Sequence, residues 1–322
     1  MYIIAILLAI ASLPVLAEQA VHRDYPTRPI RVVVPYAAGG PMDYIGRMLG
    51  RKTAPTLGQQ LIIDNRPGAG GALGTDVVAK SAPDGYTMLH TSSSHASLPV
   101  ITKSLPYDPL RDFAPITLIV NSVGFLFVVH PAVPASSVQQ FIAVAKSRPG
   151  RITYGSGGIG NVMHFAAEIF NDKAGTRLTH VPYKGVGQAI TDLLAGRIDL
   201  CFGPPTALAP HVRTGKLKAL GITALHRWSK LPDVPTIDES GVKGYEFVPW
   251  YGLWFPAGTP RAYVSRIREE VVKALADPET RNAFGEQGFV PVGSTPEEFA
   301  GMIAREIQTN RQLAAKIGLE PQ

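Results

Sequence analysis

Two periods of apolar spacing alternate along this chain: short continuous apolar runs, and stretches in which apolar residues recur every three or four positions. They are the marks of buried strands and of amphipathic helices. Residues 30–34 are apolar and β-branched but for Arg31, which predicts a buried strand. Ala37-Ala38-Gly39-Gly40-Pro41 then turns the chain. Ile45, Met48, Leu49 and Lys52 follow at helical spacing, with Asp43 in the first turn, where a carboxylate suits the helix dipole. Residues 61–63 predict the next strand, and Asn65-Arg66-Pro67-Gly68-Ala69-Gly70-Gly71 is too glycine-rich for anything but a loop. Residues 86–89 and 113–120 predict further strands, and this rhythm argues for a parallel α/β sheet.

After the apolar run 125–129, His130-Pro131-Ala132-Val133-Pro134 reads as a stiff crossing, and the pattern restarts. Helix faces are expected at Val138, Phe141, Ile142 and Ala145, at Val162, Phe165, Ala166, Ile169 and Phe170, and over 189–194. Strands are expected at 152–154, 178–183, 198–202 and 217–223, with 246–255 carrying the chain back. Two helices close the sequence. Thr259-Pro260 places a capping hydroxyl before a proline at the first helical position, and Thr295-Pro296-Glu297-Glu298 is a capping box. The architecture expected is α/β, with two lobes joined by two crossings near Phe127 and Gly252. Lobe 1 then comprises 23–127 plus 253–322, and lobe 2 comprises 128–252.

The amino terminus suggests a compartment. Residues 1–17, MYIIAILLAIASLPVLA, form an uncharged apolar run with small residues at Val15 and Ala17, as a signal peptidase requires. The run is short for a membrane span, which needs ~20 apolar residues. It lacks the basic residue that usually precedes such a segment, and an uncleaved anchor is the alternative reading. Cleavage after Ala17 and an exported, soluble mature chain are expected.

Composition excludes more than it assigns. Hydrophobic residues make up 45% of the 322 positions and aromatic ones 8%, which suits a globular core and not a disordered chain. The single cysteine, Cys201, excludes an intrachain disulfide or a cysteine-cluster metal site. A net charge of +6 from 31 basic and 25 acidic residues is spread thinly, so a nucleic-acid partner is not supported. The 8 histidines show no H-x-H or H-E-x-x-H spacing, so neither a metal nor another cofactor is expected.

Candidate chemistry sits where strands hand over to helices. Val34-Pro35-Tyr36-Ala37-Ala38-Gly39-Gly40 is one such turn and Tyr154-Gly155-Ser156-Gly157-Gly158-Ile159-Gly160-Asn161 another. A third, Val181-Pro182-Tyr183-Lys184-Gly185-Val186-Gly187, repeats the opening of the first. Glycine lets the backbone approach a ligand closely, and the helix that follows offers unpaired N–H groups and partial positive charge. That pairing binds a carboxylate or phosphate without a cation. Ala38, Gly39 and Gly40 are expected to give amides from one lobe, and Ser156, Gly157, Gly160 and Asn161 from the other, with Tyr36 and Tyr183 beside them. Gly155, Gly157 and Gly160 also spell G-x-G-x-x-G, but no acidic residue follows at the next strand, which argues against a dinucleotide.

Asp43 and Asp199 are the acids placed near this site. Asp199 is either a sheet-edge residue or the partner of a ligand's donor group. Ser92, Ser93 and His95 follow a strand; their hydroxyls suit donation to a ligand, and a secreted α/β hydrolase using this segment is the alternative. No G-x-S-x-G elbow supports that alternative. Trp250 and Trp254 read as core.

These turns do not stand alone. The opening Arg28-Pro29-Ile30 through Gly40 and Asp43, the Asn65–Gly71 loop, and Ala79-Lys80-Ser81-Ala82-Pro83-Asp84-Gly85-Tyr86-Thr87 resemble the Bug-type receptors of tripartite tricarboxylate transporters. Tyr154-Gly155-Ser156-Gly157, His180-Val181-Pro182-Tyr183-Lys184-Gly185, Asp192-Leu193-Leu194-Ala195-Gly196 with Asp199, Leu231-Pro232-Asp233-Val234-Pro235-Thr236, Pro256-Ala257-Gly258-Thr259-Pro260 and Thr295 to Phe299 continue the likeness. It covers essentially the whole mature chain in order. The resemblance implies a two-lobe periplasmic-binding-protein fold and a solute receptor, not an enzyme. Such a receptor closes on a small organic anion and delivers it to membrane permease subunits. It also implies that backbone amides and ordered water from the turns of both lobes hold the ligand. A sensor with the same binding site and no transport role fits the sequence equally.

Overall fold

The computed structural model describes residues 25–317 and 321; the apolar leader 1–17 lies outside them. Strand β1 (Ile30–Val34) pairs in parallel with β2 (Leu61–Asn65) and β3 (Thr87–Ser92). Strand β10 (Trp250–Pro256) runs antiparallel between β3 and β4 (Phe113–Ser122), and β11 (Phe289–Pro291) closes the edge on β4. The six-stranded order is β11-β4-β10-β3-β1-β2. The second sheet has five strands in the order β7 (Thr179–Pro182), β6 (Thr153–Ser156), β8 (Leu200–Gly203), β5 (Leu126–Val129) and β9 (Lys218–Ile222). Both sheets are therefore mixed, not purely parallel. Strand β10 returns along the first, and β5 runs against β8 and β9 in the second. The fold is α/β with two lobes.

Helices cover both faces of the first sheet, so its strands are apolar on both sides. Along β1, Ile30, Val32 and Val34 point to a core shared with α1 (Pro41–Leu57) and α8 (Arg261–Ala276). Val33 points to the opposite core, shared with α2 (Ala72–Ala79) and α10 (Pro296–Ile317). Strand β10 divides likewise: Tyr251, Leu253 and Phe255 face one core, Trp250 and Trp254 the other. In the second lobe, stacked Phe127 and Phe202 (ring centroids 4.6 Å apart) centre a core with Phe141 of α4 (Val138–Ser147) and Phe170 of α5 (Val162–Ala174). Helices α6 (Val186–Leu194) and α7 (Pro205–Arg213) complete that lobe. Helix α3 (Ser94–Ile101) starts on the first sheet and buries Val100 and Ile101 in the second lobe's core.

Several details depart from the expectations. The chain leaves the first sheet at Ser122 and enters the second at Leu126, so the crossing is Val123-Gly124-Phe125. The expected divisions at 127/128 and 252/253 both fall inside strands, because the apolar runs of β4 and β5 nearly abut and β10 is apolar throughout. Three helices close the sequence, not two; α9 (Pro278–Glu286) and β11 intervene. The Thr295 capping box is present: Glu298 N donates to Thr295 Oγ1 (3.2 Å) and Thr295 N to Glu298 Oε2 (2.9 Å). Thr259 does not cap α8. Its hydroxyl turns back to the carbonyl of Pro256.

Candidate functional site

Between the lobes lies a cavity of about 470 Å³, walled by the segments that follow parallel strands in both sheets. After β1 come Tyr36, Ala38, Gly39 and Gly40; after β6, Gly157 and Asn161; after β7, Lys184 and Gly185; after β8, Pro204. Four helices begin at this cavity. The N-cap residues of α1, α6 and α7 are Gly40, Gly185 and Pro204, and none caps its helix with a side chain. Only α5 is capped, by Asn161 Oδ1 accepting from Met163 N at 2.9 Å. Uncapped helix starts carry unpaired N–H groups and about half a positive charge each. The starts of α1 and α6, one per lobe, face each other: a methyl group on Gly185 would lie 3.3 Å from Ala37 Cβ, and one on Gly40 3.9 Å from Val186 Cγ1.

Of the fourteen residues expected at the site, Tyr36, Ala38, Gly39, Gly40, Ser92, Gly157 and Asn161 line the cavity. The other seven are Asp43, Ser93, His95, Ser156, Gly160, Tyr183 and Asp199, and none of them lines it. Asp43 is buried and directed at its own turn, accepting from Gly39 N (3.2 Å) and from Arg47 (2.9 and 3.0 Å). Burial works to raise its pKa, but the hydrogen bonds from Arg47 and Gly39 outweigh it and hold the carboxyl below its ordinary value. The Gly39 amide is therefore engaged by Asp43. The φ of +84° at Gly39 explains the glycine: a side chain there would meet open space but a strained backbone.

Asp199 stands just before β8, at the opposite end of the strand from the cleft, and accepts from Thr153 N (2.7 Å) and Thr153 Oγ1 (2.9 Å). It joins two strand starts. His95 is a core residue. Its Nε2 bonds the carbonyl of Pro109 (2.8 Å) and its ring packs against Phe113 and Trp254, so it activates no serine. Burial lowers its pKa to about 4. The Tyr183 hydroxyl donates to Asp192 (2.8 Å), and Ser93 is buried. Ser92 does reach the floor, in a chain that runs from its Oγ to Ser94 Oγ (3.0 Å) and on to the Tyr36 hydroxyl (2.8 Å), which donates to Gly70 O (2.5 Å).

Ser156 and Gly160 act from behind. Ser156 Oγ bonds His180 Nε2 (2.6 Å) and accepts from Gly158 N (3.1 Å), while Gly160 N donates to His164 Nδ1 (3.3 Å). The two imidazoles stack at 4.0 Å and 8°. Burial lowers the pKa of His164 to about 4 and that of His180 to about 3, so both stay neutral and hold the loop that presents Gly157 and Asn161. Sequence reasoning missed Phe125, Pro204, Ala207 and Tyr251 in the lining. Gly203-Pro204-Pro205, punctuation directly after a strand, was the available signal for the second of these.

The comparisons fit this geometry. Residues 45–319 match the family model described as "Tripartite tricarboxylate transporter family receptor". The chain belongs to this family. Its members are solute-binding receptors and not enzymes. The receptor is 37% identical over 311 residues to BugT of Bordetella pertussis, covering 95% of this chain and 93% of that one. It is similar to the solved periplasmic binding protein BugD, with 34% identity and a TM-score of 0.88 over 92% of this chain and 100% of that one. It is also similar to R. palustris Rpa4515 solved with adipate, with 31% identity and a TM-score of 0.89, again covering 92% and 100%. Among the described residues no helix is long and apolar enough to cross a membrane, and no three metal-ligating side chains cluster.

Proposed function

We propose that this receptor works in the periplasm, captures a small organic carboxylate between its lobes and delivers it to the membrane permease subunits of a tripartite tricarboxylate transporter. One observation carries the reading: two helix starts without side-chain caps, one from each lobe, converge on a single cavity at Gly40 and Gly185. An anion placed between them is stabilised by both dipoles and hydrogen-bonded by both backbones. It thereby ties the lobes together. The ligand of Rpa4515, adipate, is a carboxylate, which supports the ligand class; the family description supports the permease partner. The apolar run 1–17 supports export, with cleavage after Ala17. Lobe 1 would comprise β1–β4 with everything from β10 onward, and lobe 2 would comprise β5–β9.

Thermal unfolding against a panel of organic acids tests the reading. A ligand at 100 times its Kd adds about 2.7 kcal/mol, a rise of several degrees. A panel of carboxylates that leaves the melting temperature unmoved would refute it.

A further inference from the structure

The walls of the cavity restrict the ligand further, on the reading just given. Lys184, exposed at the rim, is the one charged side chain among the residues that line it. The backbone donors are distributed unequally. At the start of α6, Lys184 N is occupied by Gln188 Oε1 (3.1 Å), but Gly185 leaves the helix uncapped and Gly187 stands in open space. The wall built by the crossing at Phe125 and by the starts of α5 and α7 is different. Pro204 and Pro205 carry no N–H, and the amides of Ala207 and Leu208 both donate to Pro204 O (3.1 Å each). Met163 N is taken by Asn161 and Phe125 N by Thr223 Oγ1 (2.6 Å). That wall presents Phe125, Val162, Met163, Pro204 and Ala207, with Ile190 one turn into α6. The other polar side chains of the lining, Tyr36, Ser92, Asn161, Gln188, Thr191 and Tyr251, are uncharged.

We infer that the receptor selects a monocarboxylate with an apolar body, its carboxylate at the start of α6 and its aliphatic or aromatic body against Phe125, Met163 and Ala207. A second carboxylate in the body's place would be buried with no cation and with the amides of Phe125, Met163, Ala207 and Leu208 already engaged, a costly arrangement. Methylene or ring carbons there leave water for apolar contact, which is favourable. The neutral Tyr251 hydroxyl accommodates a hydroxyl or carbonyl on the body but does not neutralise a charge.

Calorimetric titration of the mature receptor with hexanoate, benzoate and adipate tests this. Hexanoate or benzoate is expected to bind at least about tenfold more tightly than adipate, a difference of 1.4 kcal/mol. Whichever of the two binds better tells an aliphatic body from an aromatic one. Adipate binding as tightly or more tightly would overturn the inference while leaving the carboxylate reading intact, and binding of none of the three would overturn both. In A207R the added guanidinium gives a second carboxylate its partner, so adipate is expected to gain at least about tenfold on hexanoate. An unchanged ranking in a variant that still unfolds cooperatively would overturn the placement of the body.

Discussion

Gly70 of the first lobe and Ile159 of the second meet through their backbones: a methyl group added to Gly70 would collide with the carbonyl oxygen of Ile159. Gly158 closes the same seam, since a methyl group on it would lie 3.3 Å from Gly70 Cα, and Ser97 Oγ donates across to Gly160 O (3.0 Å). Two glycine-rich loops thus lie face to face without intervening side chains. This contact is available only when the lobes are together, which makes it a direct probe of closure.

Gly70→Ala is expected to hold the lobes apart. Ligand affinity should drop at least about tenfold, or 1.4 kcal/mol, and X-ray scattering should show no ligand-induced contraction where the wild-type receptor contracts. Gly70 also has φ +63°, so alanine costs about 1–2 kcal/mol of backbone strain in any case. Gly58→Ala is the control: it has the same strain at φ +69° with nothing within 4 Å. It should lower the melting temperature and leave affinity alone. Equal loss of affinity in both variants would show that strain, not the seam, is responsible.

Asp43 is expected to act through the turn it holds. Asp43→Asn keeps the shape but loses the charge that pairs with Arg47, and its amide cannot accept from both Arg47 and Gly39 with the same strength. A loss of about 1–2 kcal/mol in stability should appear in urea unfolding. Because the Gly39 turn lines the cavity, weaker ligand binding should accompany it. Affinity that rises for every anionic ligand would instead mean that Asp43 repels the ligand directly.

How much of this was legible in the sequence depended on distance along the chain. The Thr295 capping box, the Gly39 turn and the β1 strand are local: each is specified within a few residues and each is present as expected. The expected lobe divisions fall inside strands because no turn residue other than Gly124 separates the apolar β4 from β5, and because β10 is an antiparallel return that pairs with residues far off in the chain. Site residues divided in the same way. Glycine turns announce a place where the backbone can be approached, and Gly39, Gly40 and Gly157 line the cavity. Asp43, Asp199 and His95 were chemically plausible, yet their partners, Arg47, Thr153 and Pro109, decide where the side chains point. Phe125, Ala207 and Tyr251 carry no chemical mark at all, and only the packing of two lobes brings them to one cavity.

Asp199 is expected to matter for stability and not for the ligand. Asp199→Asn weakens a carboxylate that accepts from both the amide and the hydroxyl of Thr153, joining the starts of β6 and β8. Unfolding should be easier by about 1.5–3 kcal/mol, the range for hydrogen bonds to a charged group. Affinity for mono- and dicarboxylates alike should stay within twofold of wild type, about 0.4 kcal/mol. A selective loss for ligands that carry a donor group would return Asp199 to the cleft.

Two sets of buried groups should give the receptor opposed pH dependences. Burial lowers His90, His95 and His164 to about 4 and His180 to about 3, so each imidazole is neutral in the folded chain. The unfolded chain binds these protons near pH 6.5, so stability is full above that value and falls as pH drops toward 4. Glu306 runs the other way. Burial raises its carboxyl to about 7 against a lowering hydrogen bond from Trp250 Nε1 (2.5 Å), so it is protonated in the fold below that pH. Its contribution is complete below the unfolded value of 4.5 and is lost as pH rises through 7. Four histidines outweigh one glutamate across this range, so the melting temperature should climb from pH 4 to about 7 and level off toward pH 8, less steeply than the histidines alone would give. Glu306→Gln isolates the second arm. It should differ little from wild type at pH 4, where both side chains are neutral, and should be the more stable protein at pH 8 by on the order of 2 kcal/mol. Melting curves of the two proteins that run parallel from pH 4 to 8 would show that Glu306 ionises in the fold as it does in water.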